Sequence, residues 1–248
     1  MQESDFRSDR IWCVIPVYNN CLTVENIADQ CSLYLKNILV VDDGSTDADI
    51  VKMFAETKIK VIRHDKNRGK GEAIITAMKY IAEQDGLFMV TIDADGQHYP
   101  EDLKKFIPLL QDNETSIIVG CRDFDIKNVP GSSRFGRKFA SFWLQVETGV
   151  TINDCQSGFR AYPVKYVSKI KCYGSHYDFE AEVLARAVWA GLKLKTVDIG
   201  VWYPEPKERV SAFKPFLDNV RISLMHTRLV GKRIMQLVLF KKKMVSPL

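Results

Sequence analysis

The amino-acid sequence predicts an α/β protein with a mixed, mostly parallel sheet flanked by helices. Over the first half of the chain, short apolar runs alternate with segments of helical periodicity, which is the pattern of a parallel sheet with helical crossovers. Acidic and glycine-containing segments follow several of these runs, where the carboxyl ends of strands would lie. With 248 residues, 46% of them hydrophobic, the chain has the size of one large catalytic domain.

The strands and helices of the first half follow from this alternation. Strands are predicted at residues 12–17, 37–41, 60–63, 87–92 and 116–120. Helices are predicted between them at residues 23–35, 47–56, 71–83 and 100–110. The last of these helices begins with a proline and two acidic residues, which suit the first turn of a helix. Together these elements describe one doubly wound α/β half.

The pattern changes after Arg122. Residues 123–137 are polar and contain proline and glycine, which predicts a mobile loop, and residues 138–146 then turn aromatic and helical. A helix at 179–190, a strand at 194–202 and a long helical stretch from about 216 to 240 are predicted for the remainder.

Several classes of protein are disfavoured by composition. The first residues lack the basic region and apolar stretch of a secretory signal. The sequence also contains no run of about 18 consecutive apolar residues, the length needed to span a membrane. The six cysteines include no C-x-x-C pair, so they are interpreted as free thiols in a reducing compartment. We therefore expect a cytoplasmic protein.

The most informative motif is the acidic segment after the fourth predicted strand. Side chains alternate along an extended chain, so the side chains of Asp93, Asp95 and Gln97 would point to the same side. Two carboxylates and an amide oxygen at the carboxyl end of a strand suit Mg²⁺ or Mn²⁺. The alternative is an Asp–Gly turn with no metal.

Two further segments lie at predicted strand ends. Asp42 and Asp43 follow the second strand, where carboxylates can accept hydrogen bonds from ribose hydroxyls or a base N–H. The alternative is that this segment only begins a helix, with Ser45, Thr46 or Asp47 as its N-cap, but capping does not explain Asp42 and Asp43. Lys70 stands in a glycine-rich entry to a helix, whose N-terminus suits an anion. The alternative for this third segment is a plain helix entry.

Taken together, these segments resemble the family 2 glycosyltransferases of the GT-A fold, and most of all the dolichyl- and polyprenyl-phosphate sugar synthases. The resemblance is carried, in family order, by residues 14–19, 41–47, 67–71, 93–97, 154–160 and 178–180. It implies an inverting, metal-dependent transferase that uses a UDP- or GDP-sugar and a lipid-linked acceptor.

The resemblance also implies roles for individual residues. The nucleotide would be held by Pro16, Tyr18 and Asp43. The divalent metal on the donor diphosphate would be bound by Asp93, Asp95 and Gln97. The phosphates of donor and acceptor would be surrounded by Arg122, Arg134 and Arg209. Asp154 matches the position of a catalytic base in related members.

The nature of the acceptor decides whether a base is needed. A phosphate acceptor is already a nucleophile and needs arginines, whereas a hydroxyl acceptor needs a carboxylate such as Asp154 to take its proton. A nucleotidyltransferase would also use carboxylates and Mg²⁺, but residues 16–20 are not its glycine-rich, basic loop. A non-catalytic nucleotide-sugar-binding protein is the third hypothesis, and the D-x-D-x-Q set argues against it.

The C-terminal tail is basic and amphipathic. Residues 207–243 contain ten Lys or Arg and two acidic residues, a net charge of +8, whereas the rest of the chain carries −4. We expect a catalytic domain at 1–212 and a helical tail at 213–248. Such a tail suits an anionic membrane, where each basic residue adds about 1 kcal/mol; the alternative is a helix that covers the core. Nucleic acid is not expected as a partner. The predicted location is the inner face of a membrane, by peripheral attachment.

Overall fold

The computed structural model describes residues 8–111, 113–123, 129, 131–203 and 215–245. Within these residues, seven strands form one mixed sheet. They are β1 (Ile11–Val17), β2 (Asn37–Asp42), β3 (Lys60–Arg63), β4 (Phe88–Thr91), β5 (Ser116–Arg122), β6 (Arg160–Pro163) and β7 (Lys193–Ile199). The central strands are buried on both faces, as expected of a sheet covered by helices.

The order and direction of the strands bring three chain segments together at one end of the sheet, where the parallel strands finish. The order is β3-β2-β1-β4-β6-β5-β7, and β6 runs antiparallel to both of its neighbours while the other pairs are parallel. Arg160, the first residue of β6, pairs with Thr91 of β4 and Val119 of β5. The segment before β6 therefore meets the carboxyl ends of β4 and β5.

The helices cover both faces of this sheet. They are α1 (Cys21–Ser32), α2 (Ile50–Met53), α3 (Lys70–Glu83), α4 (Leu103–Leu110), α5 (Gly131–Thr148), α6 (Val164–Val167), α7 (Asp178–Trp189) and α8 (Pro215–Val245). Val24 of α1 and Phe106 of α4 belong to the core on one face. Ala73 of α3, Leu144 of α5 and Leu184 of α7 belong to the core on the other. The predicted α/β class with a mostly parallel sheet is confirmed.

Several local predictions are wrong. Helix α5 begins at Gly131, so residues 131–137 are helical rather than part of a loop; the buried Ala140 and Leu144 anchor the helix despite weak helix formers in its first turn. Helix α2 starts only after Asp49, whose carboxylate caps the backbone N–H of Lys52 at 3.1 Å. Strand β6 and the short α6 have no counterpart in the prediction, because four-residue elements carry little periodicity.

The described part of the predicted tail, residues 215–245, is a single helix, α8, whose first half packs on the body. Leu229 is fully buried between α8 and the body. The His226 Nδ1 lies 2.7 Å from Glu147 Oε1 of α5, and the Arg228 guanidinium lies 2.8 Å from Glu182 Oε1 of α7. Helix α8 thus covers α5 and α7 over this part of its length. None of the helices in the described part of the chain combines the length and apolarity needed to cross a bilayer.

Candidate active site

The acidic segment after β4 is a turn rather than a continued strand. Strand β4 ends at Thr91, whereas the alternation argument required an extended chain through Gln97. Asp95 Oδ1 accepts a hydrogen bond from the backbone N–H of Gln97 at 3.0 Å, and Gly96 has a φ of 76°. Across this turn, the negative charge of Asp93 nevertheless acts on the carboxyl group of Asp95.

The two carboxylates of this turn are electrostatically crowded. Burial, followed by the negative charge of Asp93, raises the pKa of Asp95 to about 6. Burial would also raise the pKa of Asp93, but the Lys70 ammonium lowers it below its ordinary value. A further cation would relieve the repulsion at Asp95, and the oxygen-only set of Asp93, Asp95 and Gln97 fits Mg²⁺ or Mn²⁺.

This set contains two carboxylates and an amide. Among the residues that the structure describes, no group of three His, Cys, Asp or Glu side chains is arranged to hold a metal ion. Mg²⁺ is commonly held by one or two carboxylates together with substrate phosphates and water. The donor set therefore fits a metal ion that arrives with a diphosphate better than a permanently caged one.

Lys70 joins the acidic turn to α7. Its Nζ lies 2.6 Å from Asp93 Oδ1 and 2.7 Å from Glu180 Oε1. Burial alone would lower the pKa of Lys70, but these two carboxylates raise it above its ordinary value, so the ammonium stays charged. Glu180 was not among the predicted site residues, although the acidic pair Asp178 and Glu180 at the start of a helix was a signal for it.

Two glycines let the backbone approach this ion pair. Gly69 has a φ of 101°, and a Cβ there would collide with the carbonyl oxygen of Ser175. A Cβ on Gly158 would collide with the Asp93 carboxylate and the Lys70 ammonium. The segment before β6 thus forms one wall of the acidic site, and the absence of a side chain at Gly158 is required there.

Arg122 and Asp154 form a two-pronged ion pair at the same edge of the sheet. The Arg122 Nε lies 2.7 Å from Asp154 Oδ2, and one terminal nitrogen lies 3.0 Å from Oδ1. Asp154 is fully buried, and its Oδ1 also accepts the backbone N–H of Gln156. Although burial opposes the charge of Asp154, Arg122 lowers its pKa below the ordinary value. The carboxylate is therefore charged and already engaged.

Asp43 has its hydrogen-bond partners within the protein. Its Oδ1 contacts the His64 Nδ1 at 2.7 Å and accepts the backbone N–H of Arg68, while its Oδ2 accepts the N–H of Gly69 at 2.7 Å. The carboxylate fastens the loop that leads into Lys70. It thereby connects the end of β2 to the first residue of α3.

Pro16 and Tyr18 lie at the carboxyl end of β1. Both are half-buried, and Pro16 pairs with Val41 of the neighbouring β2. The segment after β1 is joined to the segment after β2 by Asn19, whose Oδ1 accepts a hydrogen bond from the backbone N–H of Thr46 at 2.8 Å. These residues lie beside the loop that begins with Asp43, whose backbone N–H donates to the carbonyl of Val17 at 2.8 Å.

The predicted arginines do not all come together. Arg134 lies on α5 and is exposed, and Arg209 lies outside the described residues. Arg137, one turn further along α5, is half-buried, and its charge acts on the hydroxyl of Tyr203. Burial raises the pKa of Tyr203, and Arg122 opposes that rise. The charges of Arg122 and Arg137 thus both act on Tyr203, and neither Arg137 nor Tyr203 was predicted.

His98 lies behind the acidic turn. It is buried, its ring packs edge-on against Phe159 at 5.6 Å, and its Nε2 is 3.9 Å from Asp93 Oδ2. Burial lowers the pKa of His98 to about 4, so the ring is neutral near pH 7. These contacts are those of a packed residue that supports the turn.

Comparison with known proteins gives relatives over most of the chain. The profile of the family described as glycosyl transferase family 2 matches residues 12–171. The UDP-N-acetylglucosamine–dolichyl-phosphate N-acetylglucosaminyltransferase of Methanococcus voltae is 31% identical over 79% of this chain and 86% of its own length. The polyprenol monophosphomannose synthase of Mycolicibacterium smegmatis is 27% identical over 77% of each chain.

A solved structure shares the fold. Glucosyl-3-phosphoglycerate synthase of Mycobacterium tuberculosis, crystallised with Mn²⁺, UDP and glucosyl-3-phosphoglycerate, aligns with a TM-score of 0.64 at 19% identity. The alignment covers 90% of this chain and 79% of that chain. The mixed sheet and its flanking helices are therefore common to both proteins.

Proposed function

Because the chain belongs to glycosyl transferase family 2, we propose that it transfers a sugar from a nucleotide-diphosphate sugar to a phosphate group on a polyprenyl lipid. The chain is a glycosyltransferase, so it must hold an activated sugar and a nucleophile. In this proposal the acidic turn after β4 receives the donor, and Arg122 receives the acceptor. Direct displacement at the anomeric carbon inverts its configuration.

The donor side is formed by the acidic turn and Lys70. A Mg²⁺ or Mn²⁺ ion bound by Asp93, Asp95 and Gln97 would neutralise charge on the leaving diphosphate. Lys70 adds a fixed positive charge beside Asp93, at a distance of 2.6 Å. Its ammonium remains protonated, so it can bind a diphosphate oxygen without first taking up a proton.

The nucleotide lies, in this proposal, between the ends of β1 and β2. Pro16 and Tyr18 border this region, and Asp43 contributes by holding the loop that presents Lys70. We place the diphosphate of the nucleotide at the acidic turn, which is the next strand end along the sheet because β1 lies between β2 and β4. The placement agrees with ligand binding at the carboxyl ends of strands in open α/β sheets.

The observation that carries the choice of acceptor is the Arg122–Asp154 pair. A hydroxyl acceptor needs a base, yet Asp154 is fully buried, paired with Arg122 through both oxygens and of lowered pKa. A phosphate acceptor needs no base, and arginines recognise it well. We therefore infer that Asp154 positions Arg122, and that Arg122 with Arg137 binds the acceptor phosphate.

The two relatives support this choice of acceptor. One is named as a transferase to dolichyl phosphate and the other as a polyprenol monophosphomannose synthase. The first is named for a UDP-sugar, and the solved structure of the same fold contains UDP and Mn²⁺. For this chain we propose a UDP- or GDP-sugar as donor, and attachment to the inner, cytoplasmic face of a membrane.

A paired-acceptor assay tests the proposal. Purified full-length protein is incubated with Mn²⁺ and either UDP-N-acetylglucosamine or GDP-mannose, together with a short polyprenyl phosphate or the matching polyprenol in detergent. Mass spectrometry should show a sugar on the phosphate acceptor and none on the alcohol. Equal transfer to the alcohol would favour a hydroxyl acceptor, and a nucleotidylated acceptor formed with release of sugar 1-phosphate would favour a nucleotidyltransferase.

A further inference from the structure

Exposed apolar side chains run along both α5 and α8. On α5, Phe135 and Phe142 are 70% and 55% exposed. On α8, Phe216 and Leu224 are 79% and 66% exposed, and Val220 lies between them at the same spacing of four residues. Contiguous exposed apolar side chains on a protein surface mark interaction sites. We call the two rows together the α5–α8 surface.

The two helices meet at an aromatic seam, so the rows belong to one region. The Phe139 ring lies 5.9 Å from that of Phe135 and 6.4 Å from that of His226, which belongs to α8. The Trp143 ring stacks on His226 at 5.6 Å. Because this seam is packed and His226 is buried, the region is a fixed part of the fold.

The accessible charges on these helices are of one sign. The sequence of α5 and α8 contains two acidic residues, Glu147 and Asp218, and both are buried. Glu147 pairs with His226, and Asp218 pairs with Arg221. Basic residues of the same helices include the exposed Arg134, Lys138, Arg228 and Lys232. The accessible surface of both helices is therefore apolar and basic.

We propose that the α5–α8 surface, in addition to the basic C-terminal end, lies against an anionic lipid bilayer. Aromatic side chains flanked by Lys and Arg suit the headgroup region of such a membrane. A second copy of this chain fits less well, because self-pairing would bring two basic surfaces together with no accessible acid to balance them.

The position of this surface relative to the active site gives it a use. Gly136 lies beside the Gln156 side chain, and Arg137 acts on Tyr203 near the Arg122 pair. The N-terminal part of α5 therefore borders the acceptor side of the site. A lipid phosphate at the membrane surface would reach Arg122 and Arg137 without leaving its bilayer. This step of the inference rests on the proposed function; the membrane contact does not.

Vesicle flotation tests the proposal. Full-length protein is mixed with vesicles of phosphatidylcholine and phosphatidylglycerol in equal parts, and the double variant Phe135→Ser/Phe142→Ser is compared with wild type. Each substitution should weaken partition about tenfold, since each removes one exposed aromatic anchor. The matched control is Leu22→Ser/Leu33→Ser, which removes two exposed leucines (94% and 76%) at α1, on the opposite face of the sheet. This control should bind vesicles as the wild type does.

Several outcomes would overturn the membrane contact. They are failure of the wild type to float at low salt, unchanged flotation of the phenylalanine variant, or dissociation of an oligomer by that variant in gel filtration. Transfer to the short polyprenyl phosphate in detergent is measured in parallel. If that transfer is absent while flotation depends on Phe135 and Phe142, the proposed function fails and the membrane surface stands.

Discussion

Asp154 illustrates how a residue with the right identity acquires its role from its neighbours. Its sequence position suggested a base, but a charged carboxylate that accepts three hydrogen bonds from Arg122 and one from Gln156 has little capacity for a proton. The same bonds fix the guanidinium plane. In the proposed function this carboxylate serves phosphate recognition by orienting an arginine rather than by proton transfer.

Replacement of Asp154 separates these roles. Asp154→Asn keeps the shape but removes the charge that holds Arg122, so the KM for a polyprenyl phosphate should rise about tenfold with a smaller loss of kcat. Arg122→Lys should give a similar KM increase, because lysine lacks the planar fork. Steady-state kinetics check both variants. A loss of about 100-fold or more in kcat at unchanged KM for Asp154→Asn would instead identify a base.

At the scale of single elements, helix α8 is part of the folded body. A buried carboxylate and imidazole, Glu147 and His226, join it to α5 at 2.7 Å, and Arg228 joins it to Glu182. The tail was predicted either to bind a membrane or to cover the core. Its inner side covers α5 and α7, and its outer side carries Phe216 and Leu224.

The buried pair predicts a stability effect. His226→Leu removes one partner and leaves Glu147 buried without its imidazole, which should lower the free energy of unfolding by about 3 kcal/mol. Ser223→Ala, an exposed position on the same helix, is the control and should change it by less than about 0.5 kcal/mol. Urea unfolding followed by circular dichroism measures both. Equal stability of the two variants would show that α8 is held without this pair.

At the scale of the whole molecule, three strand ends converge and one surface is basic. The carboxyl ends of β1, β2 and β4 carry the proposed nucleotide region and the acidic turn, and the antiparallel β6 brings Asp154 and Gly158 to the same end of the sheet. In our proposal the α5–α8 surface borders the acceptor side of this site.

Metal and nucleotide should stabilise the whole fold together. A ligand at 100 times its Kd adds about 2.7 kcal/mol to the folded state, which corresponds to a rise of about 5–10 °C in Tm for a chain of this size. We expect this rise with Mn²⁺ and either UDP or GDP, and its loss in EDTA or in Asp95→Asn. Differential scanning fluorimetry checks it. A full rise in EDTA would contradict metal-assisted nucleotide binding.

The sequence by itself determined the α/β class, the main strands and the edge at which the site forms. These features depend on local patterns: apolar runs form buried strands, and polar residues that follow parallel strands gather at one edge. Asp93, Asp95 and Lys70 were predicted for this reason, and they lie together although the chain after β4 forms a turn instead of the extended segment that the alternation argument assumed.

Only the tertiary structure decided which groups meet across that edge. Arg122 and Asp154 are 32 positions apart and pair because β6 runs antiparallel between β4 and β5. Glu180 reaches Lys70 from α7, and the charge of Arg137, on a helix that begins earlier than its composition indicated, acts on Tyr203. No local pattern encodes such contacts, since they arise from the packing of elements distant in the chain. That packing leaves Lys70 and Arg122 charged, at the positions where we propose that donor and acceptor bind.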